Sequence, residues 1–178
     1  YKYFVRMKRK LLGMVLMALA IVTSCKNDND DQDINIIRFN DGQFTLYRGY
    51  SHKYSYALET GATPFVINLL GEGVSYSTDA GKFTGTGSLV TGYFYSENIA
   101  EVKNGLYTID IFSQKGKYTA DSCKIYYNYD FAQDTGKIYT IKAGTFDVVN
   151  LGRLMSYKID IQTADYIHFT GEFRGTVD

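Results

Sequence analysis

The sequence predicts an all-β fold, either an antiparallel β-sandwich or a closed or partly open barrel of about ten strands, in a single domain. Three observations predict it. Tyrosine and phenylalanine supply 17 and 11 of the 178 residues against a single proline, and aromatic side chains are enriched in strands. Apolar and polar residues alternate with period two in one run after another. Turn signals built on glycine separate most of those runs, and no stretch after residue 34 carries convincing helical periodicity, although Glu97 to Val102 has room for one turn. A fold of roughly 150 residues buries about 70% of its unfolded surface, so no second core is needed.

The first segment reads as an address. Met7-Lys8-Arg9-Lys10 is cationic, and Leu11 to Val22 (LLGMVLMALAIV) is an uncharged apolar run of 12 residues. A spanning helix needs roughly 20 such residues, so the run is expected to be the core of a secretory signal beginning at Met7, with Tyr1 to Arg6 as upstream residues. Val22-Thr23-Ser24-Cys25 resembles the lipobox of bacterial lipoproteins. That resemblance implies diacylglycerol transfer to the Cys25 thiol, cleavage before Cys25 and acylation of the new amino terminus. One myristoyl-length chain holds a protein only reversibly, so several chains on one residue make a firm anchor without a spanning helix.

Lys26 to Asp33 (KNDNDDQD) resembles the acidic export tag that follows the lipidated cysteine in surface lipoproteins of Bacteroidetes, which implies exposure on the outer membrane. Its like charges and low hydrophobicity also make it a solvated linker. Asp28 and Asp30 have the spacing of a calcium loop, but Asp33 stands where that loop needs glycine and Phe39 where it needs glutamate. The expected organisation is 1–24 upstream residues and signal peptide, 25–33 lipidated cysteine and acidic linker, and 34–178 all-β domain.

Strands are expected at Ile34 to Phe39, Gln43 to Tyr47, Lys53 to Leu58, Phe65 to Leu70, Gly87 to Tyr95, Tyr107 to Phe112, Cys123 to Tyr129, Lys137 to Lys142 and Gly144 to Val149. Tyr157, Ile159 and Ile161 then share one face with Lys158 and Asp160 on the other. The last strand is the clearest, with Ile167, Phe169, Gly171, Phe173, Gly175 and Val177 on an apolar face and His168, Thr170, Glu172, Arg174 and Thr176 on a wet one. Thr163-Ala164-Asp165 reads as the hairpin between these two strands. Asp41-Gly42, Gly61-Ala62-Thr63-Pro64, Asn104-Gly105 and Asp134-Thr135-Gly136 mark other turns.

Ala143-Gly144-Thr145-Phe146-Asp147-Val148, Tyr157-Lys158-Ile159-Asp160 and Phe169-Thr170-Gly171-Glu172-Phe173-Arg174-Gly175-Thr176-Val177 together resemble the closing strands of small uncharacterised lipoproteins of Bacteroidetes. In those a G-T-x-x-V, a Y-x-I and a G-x-F/Y-x-G strand follow one another, and Asn104 to Thr108 fits an earlier G-x-Y element. The resemblance covers about half of the mature chain. It implies an all-β domain on a lipid anchor and carries no catalytic residues with it.

Little chemistry is legible. Five of the 19 basic residues precede Cys25, so the rest of the chain carries 14 against 19 acidic, a net of −5, with no electrostatic footprint for nucleic acid. Once Cys25 is acylated, Cys123 has no intrachain partner. It shares a presumed inward face with Ile125, Tyr127 and Tyr129 and reads as a small buried hydrophobe. His52, in a polar loop, and His168, on a wet face, lack metal-ligand spacing, so neither a metal nor a cofactor is expected. A Cys123–His168 nucleophilic pair would need opposite faces to meet. Gly85 to Val90 and Ala80-Gly81-Lys82 depart from phosphate-loop patterns and read as bends and bulges of a curved sheet.

Tyr107, Tyr127 and Tyr157 fall on inward faces. Tyr47 and Tyr126 alternate outward, where rings on a rigid sheet stack on sugars or pack against a protein. These two are the candidate ligand-binding residues. The expected function is a noncatalytic, lipid-anchored surface module for a glycan, a peptide or a neighbouring outer-membrane protein. The alternative is a lipocalin-like carrier with a cavity for a small apolar ligand.

Overall fold

In the computed structural model the described residues are 34–40, 42–109 and 115–178. Cys25, the apolar run and the acidic string lie outside them. Ten strands follow in chain order: β1 (Ile36–Phe39), β2 (Gly42–Lys53), β3 (Thr63–Gly71), β4 (Val74–Ser77), β5 (Lys82–Ser96), β6 (Gly105–Ile109), β7 (Thr119–Asp130), β8 (Thr135–Asn150), β9 (Met155–Thr163) and β10 (His168–Gly175). The described residues contain no helix.

All ten belong to one sheet, and a pairing of β3 with β5 brings that sheet round on itself. Eight strands in the order β1, β2, β3, β5, β7, β8, β9, β10 form an antiparallel ring, each hydrogen-bonded to its neighbours. The ring is not a regular barrel. The lower part of β7 pairs directly with β8. Above it the two strands part, and β6 enters between them, parallel to β7 and antiparallel to β8. β1 has only four residues, so the C-terminal tail takes its place farther along β2, where Gly49 N donates to Thr176 O at 2.9 Å and Asp178 N to Gly49 O at 3.1 Å. β4 pairs with the first residues of β5 as a flanking hairpin.

Inside the ring one buried cluster draws on every strand except β4. Phe94 is the hub at one level, with its ring centroid 5.0 Å from Phe146, 5.4 Å from Tyr107 and 6.0 Å from Tyr157. At the other, Phe39 lies 4.9 Å from both Phe169 and Tyr127. Aromatic pairs at these separations contribute about 0.5–1.5 kcal/mol each beyond the area they bury. Cys123 is wholly buried, and burial pushes its thiol well above the ordinary range, with Asp121 adding to the rise. Gly92 makes room for it, because a Cβ there would stand 2.5 Å from the Cys123 sulfur.

Several sequence expectations need correction. Gln43 to Tyr47 is part of a strand that runs on to Lys53, so His52 stands on a strand and not in a loop. Of Lys53 to Leu58 only Lys53, the last residue of β2, is in a strand. The chain then turns back through hydrogen bonds from Leu58 N to Ala62 O and from Gly61 N to Leu58 O, both 2.8 Å. The two runs Lys137 to Lys142 and Gly144 to Val149 are one strand with a register shift between Ile141 and Ala143. Val74–Ser77 is an additional strand. Ile34 forms an isolated bridge to Glu172 in place of starting β1, and the end of the run expected to reach Phe112 lies outside the described residues.

Glu97 to Val102 makes no helical turn. It wraps around Ser96, whose hydroxyl donates to Glu101 O at 3.0 Å and accepts from Lys103 N at 3.1 Å. Tyr129 does not share a face with Cys123, Ile125 and Tyr127. Asn128 adopts φ +47° and the β7–β8 register shifts between Tyr127 and Asp130, which reverses the alternation.

The C-terminal reading holds throughout: Phe169 and Phe173 are fully buried, and Thr170 and Arg174 are exposed. Phe169→Ala or Phe173→Ala is expected to cost roughly 3–5 kcal/mol by denaturant melts, and Thr170→Ala no more than about 0.5 kcal/mol. Gly171 has φ +154°, and a Cβ on it would stand 2.1 Å from Ile36 O of β1. Gly171→Val is therefore expected to destabilise despite valine's better strand propensity.

Candidate functional site

The parity that buries Phe65, Ile67 and Leu69 turns Val66, Asn68 and Leu70 outward, and the ring carries this across four strands in rows. Arg48, Leu70, Leu89 and Tyr126 form one row, Tyr50, Asn68, Thr91 and Lys124 the next, and His52, Val66, Tyr93 and Asp121 the third. The outer face of β2, β3, β5 and β7 is thus a continuous surface.

Two aromatic groups stand on it. The first begins at Tyr50, whose ring is 5.6 Å from Tyr76, and passes through Phe83 (4.9 Å), Phe131 (5.5 Å) and Tyr126 (5.5 Å) to Tyr129 (5.0 Å). It rests on Leu70, Val74 and Leu89, a small apolar cluster separate from the core. The β4–β5 hairpin brings Tyr76 and Phe83, and the turn after β7 brings Phe131, held by Phe131 N donating to Gly85 O at 3.0 Å. Five of the six rings are half-buried and Tyr129 is buried. The Tyr129 hydroxyl donates to Asp134, a bond that, with desolvation, pushes its pKa up to about 12. Arg48 lies 4.9 Å over the Tyr50 ring and pairs with Asp178.

The second group is built around Tyr54 and Tyr93, stacked at 6.0 Å with their hydroxyls 3.3 Å apart. That hydrogen bond raises the Tyr54 pKa. Tyr56 lies 5.7 Å and His52 5.5 Å from the Tyr54 ring. Beneath them Tyr95 is buried and donates to Asp121 Oδ2 at 3.0 Å.

Between the groups runs the polar row of Asn68, Thr91 and Lys124, with Thr91 Oγ1 donating to Asn68 Oδ1 at 2.6 Å. Tyr107 and Tyr157, the tyrosines placed inward by alternation, are in the core, and Tyr127 packs against it half-buried. Tyr126 is a half-buried member of the first aromatic group. Tyr47 is 59% exposed at a register irregularity of β2 between Leu46 and Arg48. Three strand spacings, roughly 14 Å, separate β2 from β7, so the structure does not bring Tyr47 and Tyr126 together as a pair. Sequence reasoning missed Tyr50, Tyr54, Tyr76, Tyr93, Phe83 and Phe131. The signal available for Tyr50 and Tyr54 was their two-residue phase with His52, once β2 is recognised as continuous.

The outer face of β8, β9 and β10 has a different chemistry. Asp147, Lys158 and Glu172 stand in one register row and Thr145, Asp160 and Thr170 in another. Glu172 accepts from Ser156 Oγ at 2.7 Å and from Arg174 Nη2 at 2.9 Å, and His168 Nε2 is 2.6 Å from Asp160 Oδ1. These charges engage one another. Among the described residues no group of three or more histidine, cysteine or acidic side chains is arranged to hold a metal. Cys123, buried, and His168, exposed, are on opposite sides of the sheet.

At the end of the ring where β5 meets the 97–104 loop lies an open cleft of about 290 Å³, lined by Ser51, Glu101, Asn150 and Arg153 over Phe65 and Tyr157. Compared with protein-family models, with curated proteins and with solved structures, the chain matches none.

Burial alone raises the Glu172 carboxyl, but the hydrogen bonds from Ser156 and Arg174 and the charges of Arg174 and Lys158 outweigh it, leaving the group below its ordinary value of 4.5. A carboxyl depressed in the folded state contributes stability above its unfolded pKa and loses it as pH falls through the folded one. Glu172→Gln is therefore expected to lower stability at pH 7, with the difference from the wild type shrinking below about pH 4.5 in denaturant melts. A difference independent of pH would contradict this.

Proposed function

We propose that this chain is a noncatalytic binding module, tethered to the outer membrane through lipidated Cys25, displayed on the cell surface and engaging its partner through the aromatic outer face of β2, β3, β5 and β7. The observation that carries the proposal is the pair of half-exposed aromatic groups on that face. Tyrosine and phenylalanine provide large contact area at low conformational cost, and a closed sheet holds them in fixed positions.

The lipobox pattern at Val22 to Cys25, the acidic string after it, and the resemblance of the closing strands to small lipoproteins of Bacteroidetes support the tether and the surface location. The pairing of His168 with Asp160, and of Glu172 with Ser156 and Arg174, supports a structural role for the groups that acid–base chemistry would otherwise use. The carrier reading needs interior room, and the rings of Phe94, Tyr107, Phe146 and Tyr157 occupy the space beneath the cleft, which favours a binding surface over an enclosed ligand.

Labelled palmitate is expected to enter the precursor at Cys25, and Cys25→Ala to release the protein from the membrane fraction. Alanine at Asp28, Asp30 and Asp31 together is expected to hide it from protease added to intact cells. Undiminished membrane association of Cys25→Ala would contradict the tether, and undiminished protease access of the triple variant the role of the acidic string.

A further inference from the structure

We infer that the outer face of β2, β3, β5 and β7 is a glycan-binding site, in which the side-chain amide of Asn68 hydrogen-bonds sugar hydroxyls between two tyrosine platforms. The inference rests on the binding-module reading and names its ligand class.

Asn68 decides the class. It is 5% exposed although it stands on the outer side of the sheet, between Tyr50 and Thr91 in its row and between Val66 and Leu70 along its strand. Its Oδ1 accepts from Thr91. Its Nδ2 donates to no other group among the described residues, yet no fully buried side-chain nitrogen or oxygen lacks a partner, so the amide nitrogen reaches the outer surface. A donor held in so covered a place is costly unless something accepts from it. The Thr91 hydroxyl beside it has acceptor capacity left, and Lys124 ends the row with an exposed ammonium.

Aromatic rings flank Asn68: Tyr50, which begins its row, with Tyr76, and Tyr93 of the next row with Tyr54. Tyr50 on β2 and Tyr54 just past its end are four residues apart, roughly 13 Å at strand rise, the span of a short oligosaccharide. A pyranose presents C–H groups on its faces and hydroxyls on its edges. Rings that take the faces, with an amide, a hydroxyl and an ammonium between them for the edges, match that alternation. A protein partner anchored by apolar side chains would leave the Asn68 amide covered and unpaired. The row carries no carboxylate, so acidic sugars are admitted as well as neutral ones.

The test is affinity electrophoresis of the full chain in mild detergent, through native gels cast with yeast mannan, glycogen, xylan or chondroitin sulfate. At least one polymer is expected to retard the protein. Tyr93→Ala and Asn68→Asp are each expected to weaken that retardation at least tenfold. Asn68→Asp keeps the side-chain shape and the bond from Thr91 while removing the amide donor, and a thermal melt checks that the variant, with a carboxyl group in so covered a place, is folded. If it does not fold, Tyr50→Ala takes its place. Lys124→Gln separates the two kinds of polymer, weakening retention by chondroitin sulfate and leaving retention by a neutral one.

Free migration in all four gels, or full retardation of the folded Asn68→Asp variant, would overturn the inference and direct the face to a protein partner. Lipid at Cys25 together with free migration would remove the glycan and keep the tethered module. Retardation without lipid at Cys25 would do the reverse.

Discussion

The pairing of β3 with β5 is the constraint on which the rest of the structure depends. Ten strands in an open row would leave β3 exposed along one edge, a template for association with other chains. Joining β3 to β5 closes the eight-stranded ring and gives the sheet an inside and an outside. Because side chains alternate strictly along a strand, a slip of one residue would exchange the two. The burial of Phe65, Ile67 and Leu69 therefore fixes the outward positions of Val66, Asn68 and Leu70, and through the pairing those of Leu89, Thr91 and Tyr93. The packed interior and the aromatic exterior are two consequences of one register.

The fold class and the C-terminal hairpin were legible because nothing interrupts their alternation: Tyr157, Ile159 and Ile161 face Phe169 and Phe173 in unbroken register from Met155 to Gln162. Legibility failed where the backbone departs from period two. Asn128, with φ +47°, reverses the phase of β7 and sends Tyr129 to the opposite face from Ile125. Arg48 and Gly49 look like a break between two strands, whereas β2 absorbs them through a register shift and runs on to Lys53, 12 residues in all. The run from Lys53 to Leu58 has strand composition but leaves the β3 ladder after Tyr54 and turns back between Leu58 and Ala62, and tertiary context overrides propensity there.

The candidate surface was harder to see for a different reason. Its rings come from β2, β4, β5, β7 and the turn that follows β7, and no local pattern announces that Tyr50, Tyr76, Phe83, Phe131 and Tyr126 will meet. Tyr126 was visible as an outward ring but not as part of a group. Asn68 was invisible, because it sits in the apolar stretch from Phe65 to Leu70 and reads as an interruption of a hydrophobic run. Only the closure that puts β2 and β5 on either side of β3 sets that amide between tyrosines. The ionic face of β8 to β10, by contrast, follows directly from the wet positions of the closing strands.

Closure is also the property most directly measured. If β3 and β5 are joined as described, the backbone amides of residues 65–70 and 89–94 exchange hydrogen only through global unfolding, with protection equal to that of the β9–β10 hairpin. Native-state hydrogen exchange across a denaturant series reads this residue by residue. Equal exchange free energies that converge with the global value are the predicted result. Amides of β3 and β5 that exchange at a distinctly lower free energy, while those of β9 and β10 remain protected, would mean that the sheet opens along this seam and that the outer face is not a fixed platform.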